Sequence, residues 1–289
     1  MKRNPEFRII SEDTLLEFLL KNFPNKSRNY VKGVLKRGQV SIDGKSCTNY
    51  ARALRPGQTV SIKTDKTVNF KLPFPILYED NELIVIDKPA GMLPVSTDKE
   101  KEHTAYHLVR EYLKSKATHE RAFIVHRLDR DTSGVMLLAK DESLKMALQD
   151  EWEDLAIKRG YTAVVEGDVI KPKGRIQSWL KQTKTLLVYS SQKKGDGKLA
   201  ITEFYTRRAT QSCSLLDIII KTGRKNQIRV HMSDMGHPIA GDKKYGAETD
   251  PLKRLCLHAS ELVIKHPFSE NEMCFESKPI FLEKLIGGK

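Results

Sequence analysis

A nine-residue polar string, His126-Arg127-Leu128-Asp129-Arg130-Asp131-Thr132-Ser133-Gly134, stands between two short apolar runs at 122–125 and 135–139. Apolar runs of this length that end in turn residues read as buried strands. Burying both runs dictates what lies between them. Two acids and two arginines must collect at the edge of a core, in a turn held rigid by its flanking strands. A carboxylate there is partly dry and fixed in place, the setting in which an acid does chemistry.

The chain from residue 76 onward extends the strand pattern. A strand, an Asp80-Asn81 turn and a second strand open it, followed by a loop around Pro89 and Gly91. Further strands are predicted at 161–165, 185–190, 199–206, 214–220 and 228–231. Helices are predicted over 103–117, with Leu108, Val109 and Tyr112 inward, and over 143–158. Strands outnumber helices and hairpin turns such as Gly195-Asp196-Gly197 separate them. The fold class is therefore α+β, with residues 76–289 forming one domain on a mostly antiparallel, mixed sheet. Residues 65–75, with Lys66, Lys71, Pro73 and Pro75, read as a linker.

Residues 7–64 form a separate small α/β module. Helical spacing begins near Thr14, with Ser11 or Asp13 as its cap. Ser27 caps a second helix, Arg28 to Lys36, with Tyr30, Val31, Val34 and Leu35 on one face. Arg28, Lys32, Lys36 and Arg37 make a basic stripe on the remaining surface, and Gly38 ends the helix. Asp43-Gly44 marks a hairpin, and residues 59–62 close the module as a strand. The chain carries a net charge of +13, yet residues 1–64 alone hold thirteen basic and five acidic side chains. Charge concentrated in this way argues for a polyanionic partner, with nucleic acid ahead of a membrane surface.

Other classes find little support. Cys47, Cys213, Cys256 and Cys274 form no CxxC pair, so no zinc site is expected, and they read as reduced thiols of a cytoplasmic protein. The first residues lack the apolar segment of a signal peptide, and no run approaches a membrane span. His126, His231 and His258 have no metal-triad spacing and read as structural.

Five segments carry a resemblance. The opening string is similar to the HRLDxxTSG signature of the RluA/RluD-type RNA pseudouridine synthases. Asp87-Lys88-Pro89-Ala90-Gly91 resembles that family's DKPxG. Residues 159–167 resemble KxYxAxVxG, with Arg159 where lysine is usual. Residues 223–231 resemble GRxxQIRxH, with Asn226 where many members have histidine. Arg254-Leu255-Cys256-Leu257-His258-Ala259 resembles RLxLHA. They occur in the family's order. The N-terminal module resembles the S4 RNA-binding domain, through Ser27-Arg28, Val31, residues 36–40, Asp43-Gly44-Lys45 and residues 54–58.

The resemblance implies isomerisation of uridine to pseudouridine in RNA. Uracil leaves C1′, turns, and rejoins through C5, so neither metal nor redox cofactor is needed. It implies that Asp129 is the catalytic carboxylate, attacking C1′ or taking the 2′ proton, with Arg229 as its charged partner. It places Tyr161 against the uracil ring, to stack and to help remove the C5 proton, and Leu255 over the other face. Read alone, Tyr161 and Leu255 are equally core residues. Arg127 either fills the space of an extruded base or pairs with Asp131 or Glu120. Ribosomal RNA is the expected substrate and transfer RNA the alternative. Two rivals remain, a catalytically silent RNA-binding factor and a base-releasing glycosylase. Nothing in the sequence speaks to protein partners.

Overall fold

The computed structural model describes residues 5–24, 27–36, 38–62, 70–98, 100–116 and 121–279. The chain divides into two compact units, Met1–Lys71 with Lys114–Thr118 and Leu72–Leu113 with His119–Lys289.

The first unit contains β1 (Glu6–Arg8), β2 (Asp13–Thr14), α1 (Leu15–Asn22), α2 (Arg28–Lys36), β3 (Val40–Ile42), β4 (Lys45–Ser46), β5 (Ala53–Leu54) and β6 (Thr59–Ile62). An antiparallel sheet in the order β1-β6-β3-β4 packs with the helices around Leu15, Leu19, Val31, Leu35, Val40 and Val60. The cap of α1 is Thr14, whose hydroxyl accepts from the Glu17 amide, rather than Ser11 or Asp13. Asp13 is occupied instead by the Lys21 ammonium at 2.7 Å. Ser27 caps α2 as expected, accepting from the Tyr30 amide at 3.2 Å. Val31 and Leu35 are buried, but Tyr30 is exposed, so the apolar face is narrower than predicted. Arg28, Lys32 and Lys36 are exposed; Arg28 pairs with Glu17 and Lys32 lies over the Tyr50 ring. Arg37 and linker residues 65–69 lie outside the described residues. Asp43 and Gly44 both have positive φ, the signature of the tight hairpin joining β3 to β4.

The second unit holds β7 (Ile76–Glu79), β8 (Leu83–Lys88), all but the last two residues of α3 (Ala105–Ser115), β9 (Phe123–Ile124), β10 (Ser133–Ala139), α4 (Glu142–Asp150) and α5 (Trp152–Leu155). There follow β11 (Lys158–Glu166), β12 (Lys173–Gln182), β13 (Val188–Ser191), β14 (Lys198–Ala209), β15 (Cys213–Ile220), α6 (Gln227–Asp234), β16 (Leu257–Lys265) and β17 (Glu272–Glu276). One sheet runs β13-β12-β14-β15-β11-β16-β10-β8-β7, with β9 beside β10 and β17 beside β16. Of the described strand pairs of this sheet only β10–β16 is parallel, so the sheet is mixed and mostly antiparallel. Both apolar runs that bracket the polar string are strands, and every residue of β10 is buried.

Three expectations fail here. Residues 228–231 belong to helix α6, not to a strand. Ile228 and Val230 alternate with Arg229 and His231 and so mimic a period of two, yet the helix buries every residue from Gln227 to Met232. Its polar side chains survive burial because they are bonded: His231 meets Thr202 at 2.8 Å and Ser178 at 2.9 Å. In α3 the fully buried residues are Ala105, Val109 and Leu113, while Leu108 and Tyr112 are half-buried. The helix expected over 143–158 breaks at Glu151, and Lys158 already starts β11.

Where β10 meets β16, Gly134 has φ +112, and a Cβ there would fall 2.1 Å from the Ala259 carbonyl oxygen. Only glycine allows that approach. Gly134→Ala is expected to cost about 3 kcal/mol or more by forcing the strands apart, read as a lower urea midpoint.

Candidate active site

The polar turn joins β9 to β10, and apolar pegs fix it. Val125 and Leu128 are buried beneath it. His126 stacks on Trp152, with ring centroids 4.9 Å apart, and accepts from the Leu137 amide at 3.0 Å. Burial pulls His126 down to about 4, so it is the neutral imidazole that an acceptor role needs. Lys88 anchors the turn from below. Its Nζ donates to the carbonyl oxygens of Pro89 (2.8 Å), Met92 (2.9 Å) and Arg130 (3.0 Å). Burial pulls Lys88 to about 7, with the charge of Asp131 resisting, and three acceptors match the three donors of an ammonium. The loop after β8 is thereby tied to the turn that carries Asp129.

Asp129, Tyr161, Arg229 and Arg127 all line one cleft of about 730 Å³ in the second unit. Among the described residues nothing donates a hydrogen bond to the Asp129 carboxylate. Burial raises its pKa above the ordinary carboxylate value, and the charges of Arg229 and Lys225 oppose the rise. Ionised Asp129 thus has open lone pairs facing the cleft and more basicity than a surface aspartate.

Arg229, the expected charged partner of Asp129, makes its hydrogen bonds elsewhere. Its Nε donates to Asp242 Oδ2 at 2.7 Å and its Nη2 to Asp242 Oδ1 at 2.6 Å. Nη1 donates to Asn226 Oδ1 at 3.2 Å, and the Tyr245 ring lies 5.0 Å from the guanidinium. The Asn226 amide in turn donates to Tyr245 Oη at 3.0 Å. Arg229 therefore acts on Asp129 through charge, from a position that Asp242, Asn226 and Tyr245 fix. Burial works against its charge, but the Asp242 carboxylate holds its pKa above the usual value.

Tyr161 is half-buried on β11, and burial pushes its phenol up to about 12. It is a neutral phenol at physiological pH, suited to stacking, and it can remove a proton only after losing its own. Leu255 sits in the core and is absent from the cleft wall; Leu257, two residues on, lines the cleft instead, with Leu128, Ile220 and Ile228. Arg127 is exposed at the cleft, and Asp131 is taken by Arg130 at 2.9 Å, which removes one predicted partner. Glu120, the other, lies outside the described residues. Ser133 is buried between His258 Nδ1 and Arg254 Nη2, both at 2.8 Å, and has no access to a substrate.

Sequence reasoning missed Asp242 and Tyr245. Their signal was Gly241-Asp242-Lys243-Lys244-Tyr245-Gly246, an acid and an aromatic bracketed by glycines. Gly241 has φ +84, and a Cβ there would lie 2.1 Å from the Arg254 carbonyl oxygen.

The pH dependence follows from these charges. A nucleophilic or basic role for Asp129 needs the anion, so in that role activity is expected to be lost as pH falls through its raised pKa. Lys225→Gln removes an exposed cation that favours ionisation, and the acid limb of kcat/KM is expected to move to higher pH. An unmoved limb would contradict this assignment of the limb to Asp129.

Residues 82–234 match the family model of RNA pseudouridylate synthase. The chain is 30% identical over 291 residues to an uncharacterized RNA pseudouridine synthase of Aquifex aeolicus, covering 94% of this chain and 92% of that one. It is 31% identical to a ribosomal large subunit pseudouridine synthase D of Nitrosomonas europaea, over 88% of this chain and 77% of that one. In fold it is similar to human RNA pseudouridylate synthase domain containing 4, with TM-score 0.58 and 23% identity, covering 72% of this chain and 90% of that one.

Proposed function

The chain belongs to the RNA pseudouridylate synthase family, and from that premise we propose that it isomerises specific uridines of large-subunit ribosomal RNA with Asp129 as the reacting carboxylate. One observation carries the assignment of Asp129: its carboxylate opens onto the cleft without a hydrogen bond from any described residue, in the field of Arg229.

The chemistry runs from these groups. The target nucleotide leaves its stack, at a cost of a few kcal/mol, and its base enters the cleft. Arg127, exposed at the cleft, meets a phosphate or fills the vacated space. Tyr161 stacks on the ring, and Leu257 adds apolar wall that keeps water from the detached base. Asp129 attacks C1′ or takes the 2′ proton, and the C1′–N1 bond breaks. The ring turns, and C5 bonds to C1′ as the Asp129–C1′ bond breaks or, in the other route, as Asp129 returns the 2′ proton. The C5 proton then leaves to water and N1 takes one up, which restores conjugation. No atom is gained or lost overall.

Ribosomal RNA is supported by the large-subunit names of relatives such as that of Nitrosomonas europaea. The N-terminal unit is an S4-like RNA-binding domain in this reading, with exposed Arg28, Lys32 and Lys36 meeting phosphates and positioning the RNA in the cytoplasm. Arg28→Gln/Lys32→Gln/Lys36→Gln in the full chain is expected to flatten the slope of log affinity against log salt by about 2 to 3. An unchanged slope would remove this helix from the interface. The substrate itself is tested by mapping pseudouridine in unmodified large-subunit and transfer RNA transcripts after incubation with the protein. Product in ribosomal RNA supports the proposal, product in transfer RNA alone changes the substrate, and product in neither favours the silent RNA-binding factor.

A further inference from the structure

The mechanism above leaves one buried cation of the cleft without a task. Arg159 lines the cleft from β11, two residues before Tyr161, and is 7% exposed. Its Nη2 donates to the Lys221 carbonyl oxygen at 2.6 Å, and its Nε is buried with no partner. Among the described residues no carboxylate lies within ion-pair distance of it. Glu153 is close enough for its charge to be felt, but is bonded to Arg224 at 3.2 Å and its side chain is 59% exposed. Burying a charge in this state is costly unless something else completes its surroundings. The backbone leaves room for that group: a Cβ at residue 223 would lie 3.2 Å from Arg159 Nη1, and glycine stands there.

Two parts of an RNA nucleotide carry the complementary charge or acceptors. Backbone phosphates have their own cations, since Arg127, Arg130 and Lys225 line the same cleft and are exposed. A phosphate can meet those without entering deeply. The group that must travel in as far as Tyr161 is the ring. Arg159 and Tyr161 stand two residues apart on β11, and both line the cleft together with Asp129. A ring stacked on Tyr161 with C1′ toward Asp129 therefore has Arg159 near another of its edges. Uracil offers two carbonyl oxygens there. When the C1′–N1 bond breaks, its electron pair stays with N1, and the detached ring is a monoanion whose charge spreads over N1 and both carbonyl oxygens. A fixed guanidinium in a water-poor site is worth most against charge that appears only during the reaction.

We infer that Arg159 binds the uracil ring, donating to a carbonyl oxygen, and holds the negative charge of the ring while it is detached. The pair returns when C5 bonds to C1′, and Arg159 then faces a neutral base again. This role rests on the pseudouridine reading of the cleft and names the group that recognises the base within it.

Trp152 lines the same cleft, and the chain has two tryptophans, so a Trp179→Phe background makes Trp152 the reporter. Uracil and 5-nitrouracil, a uracil already anionic at neutral pH, are titrated against its fluorescence. The anion is expected to bind at least about tenfold tighter than uracil. Arg159→Met should bring the two within about twofold, and Arg159→Lys, which keeps a charge and guards against a folding defect, should lie between. On RNA, Arg159→Met should lower kcat more than it raises KM. The inference is overturned if Arg159→Met keeps the anion preference or if the wild-type cleft has none. It is also overturned if inorganic phosphate displaces 5-nitrouracil from wild type but not from Arg159→Met, which would make this a phosphate subsite. If no RNA yields pseudouridine while the anion preference stands, the reading of the reaction falls and the ring-anion site survives it.

Discussion

Asp129→Asn is expected to lose roughly ten-thousandfold or more in kcat and none of its stability. The first half follows from charge. An amide has no free anionic pair to attack C1′ or accept the 2′ proton, and Glu153, which also lines the cleft, is paired with Arg224 at 3.2 Å. The second half follows from the surroundings. No described residue hydrogen-bonds to the carboxylate, so Asn breaks no bond on replacing it. Burial also raises the Asp129 pKa in the folded state. A carboxylate whose folded pKa lies above its unfolded value binds protons preferentially in the folded state. Its ionisation therefore costs stability at neutral pH, and that cost fades as pH falls through the raised folded pKa and is gone below the unfolded one. Asn removes the cost. Urea unfolding at neutral pH should give the variant a stability equal to or above that of wild type. A variant that is inactive because it is destabilised would refute the placement of Asp129.

Asp242→Asn is expected to do the reverse, losing about 3–5 kcal/mol of stability, with activity falling as a consequence. Asp242 takes two guanidinium donors of Arg229 at 2.7 and 2.6 Å, and both side chains are buried. Removing one partner leaves the other charge buried without compensation. Arg229→Gln in the same chain should recover part of the loss, because neutral groups then face each other. Recovered stability without recovered activity would separate the two duties of Arg229: filling the core beside Asp242, and supplying positive charge to Asp129. If the single variant unfolds like wild type, the Asp242–Arg229 pair does not hold the site.

How far the residues alone reach can be judged from where they mislead. The polar string between apolar runs was legible as a turn at the edge of a core, because strand burial is a local pattern and β10 is buried throughout. The capping role of Ser27 and the Asp43-Gly44 hairpin are likewise set within a few residues. Helix α6 was hidden because Ile228 and Val230 alternate with polar neighbours. The bonds that allow His231 to be buried come from Thr202 and Ser178 on distant strands. Strand β12 went unpredicted for a related reason: Lys173, Arg175 and Gln177 are exposed, and its pairing with β14 supplies what its composition does not. The carboxylate that hydrogen-bonds Arg229 was not legible, because an arginine's preference for a carboxylate does not say which one. Asp242 is thirteen residues away on another loop, and the bend at Gly241 delivers it.

The most direct test uses ribosomal and transfer RNA transcripts carrying tritium at uridine C5. Joining C5 to C1′ must expel the C5 hydrogen, so isomerisation sends tritium to water and leaves pseudouridine in the chain. The expected result is equal amounts of tritiated water and pseudouridine from wild type, and neither from Asp129→Asn. Tritium retained in free uracil, or release by Asp129→Asn at the wild-type rate, would contradict Asp129 as the carboxylate that moves uracil from N1 to C5.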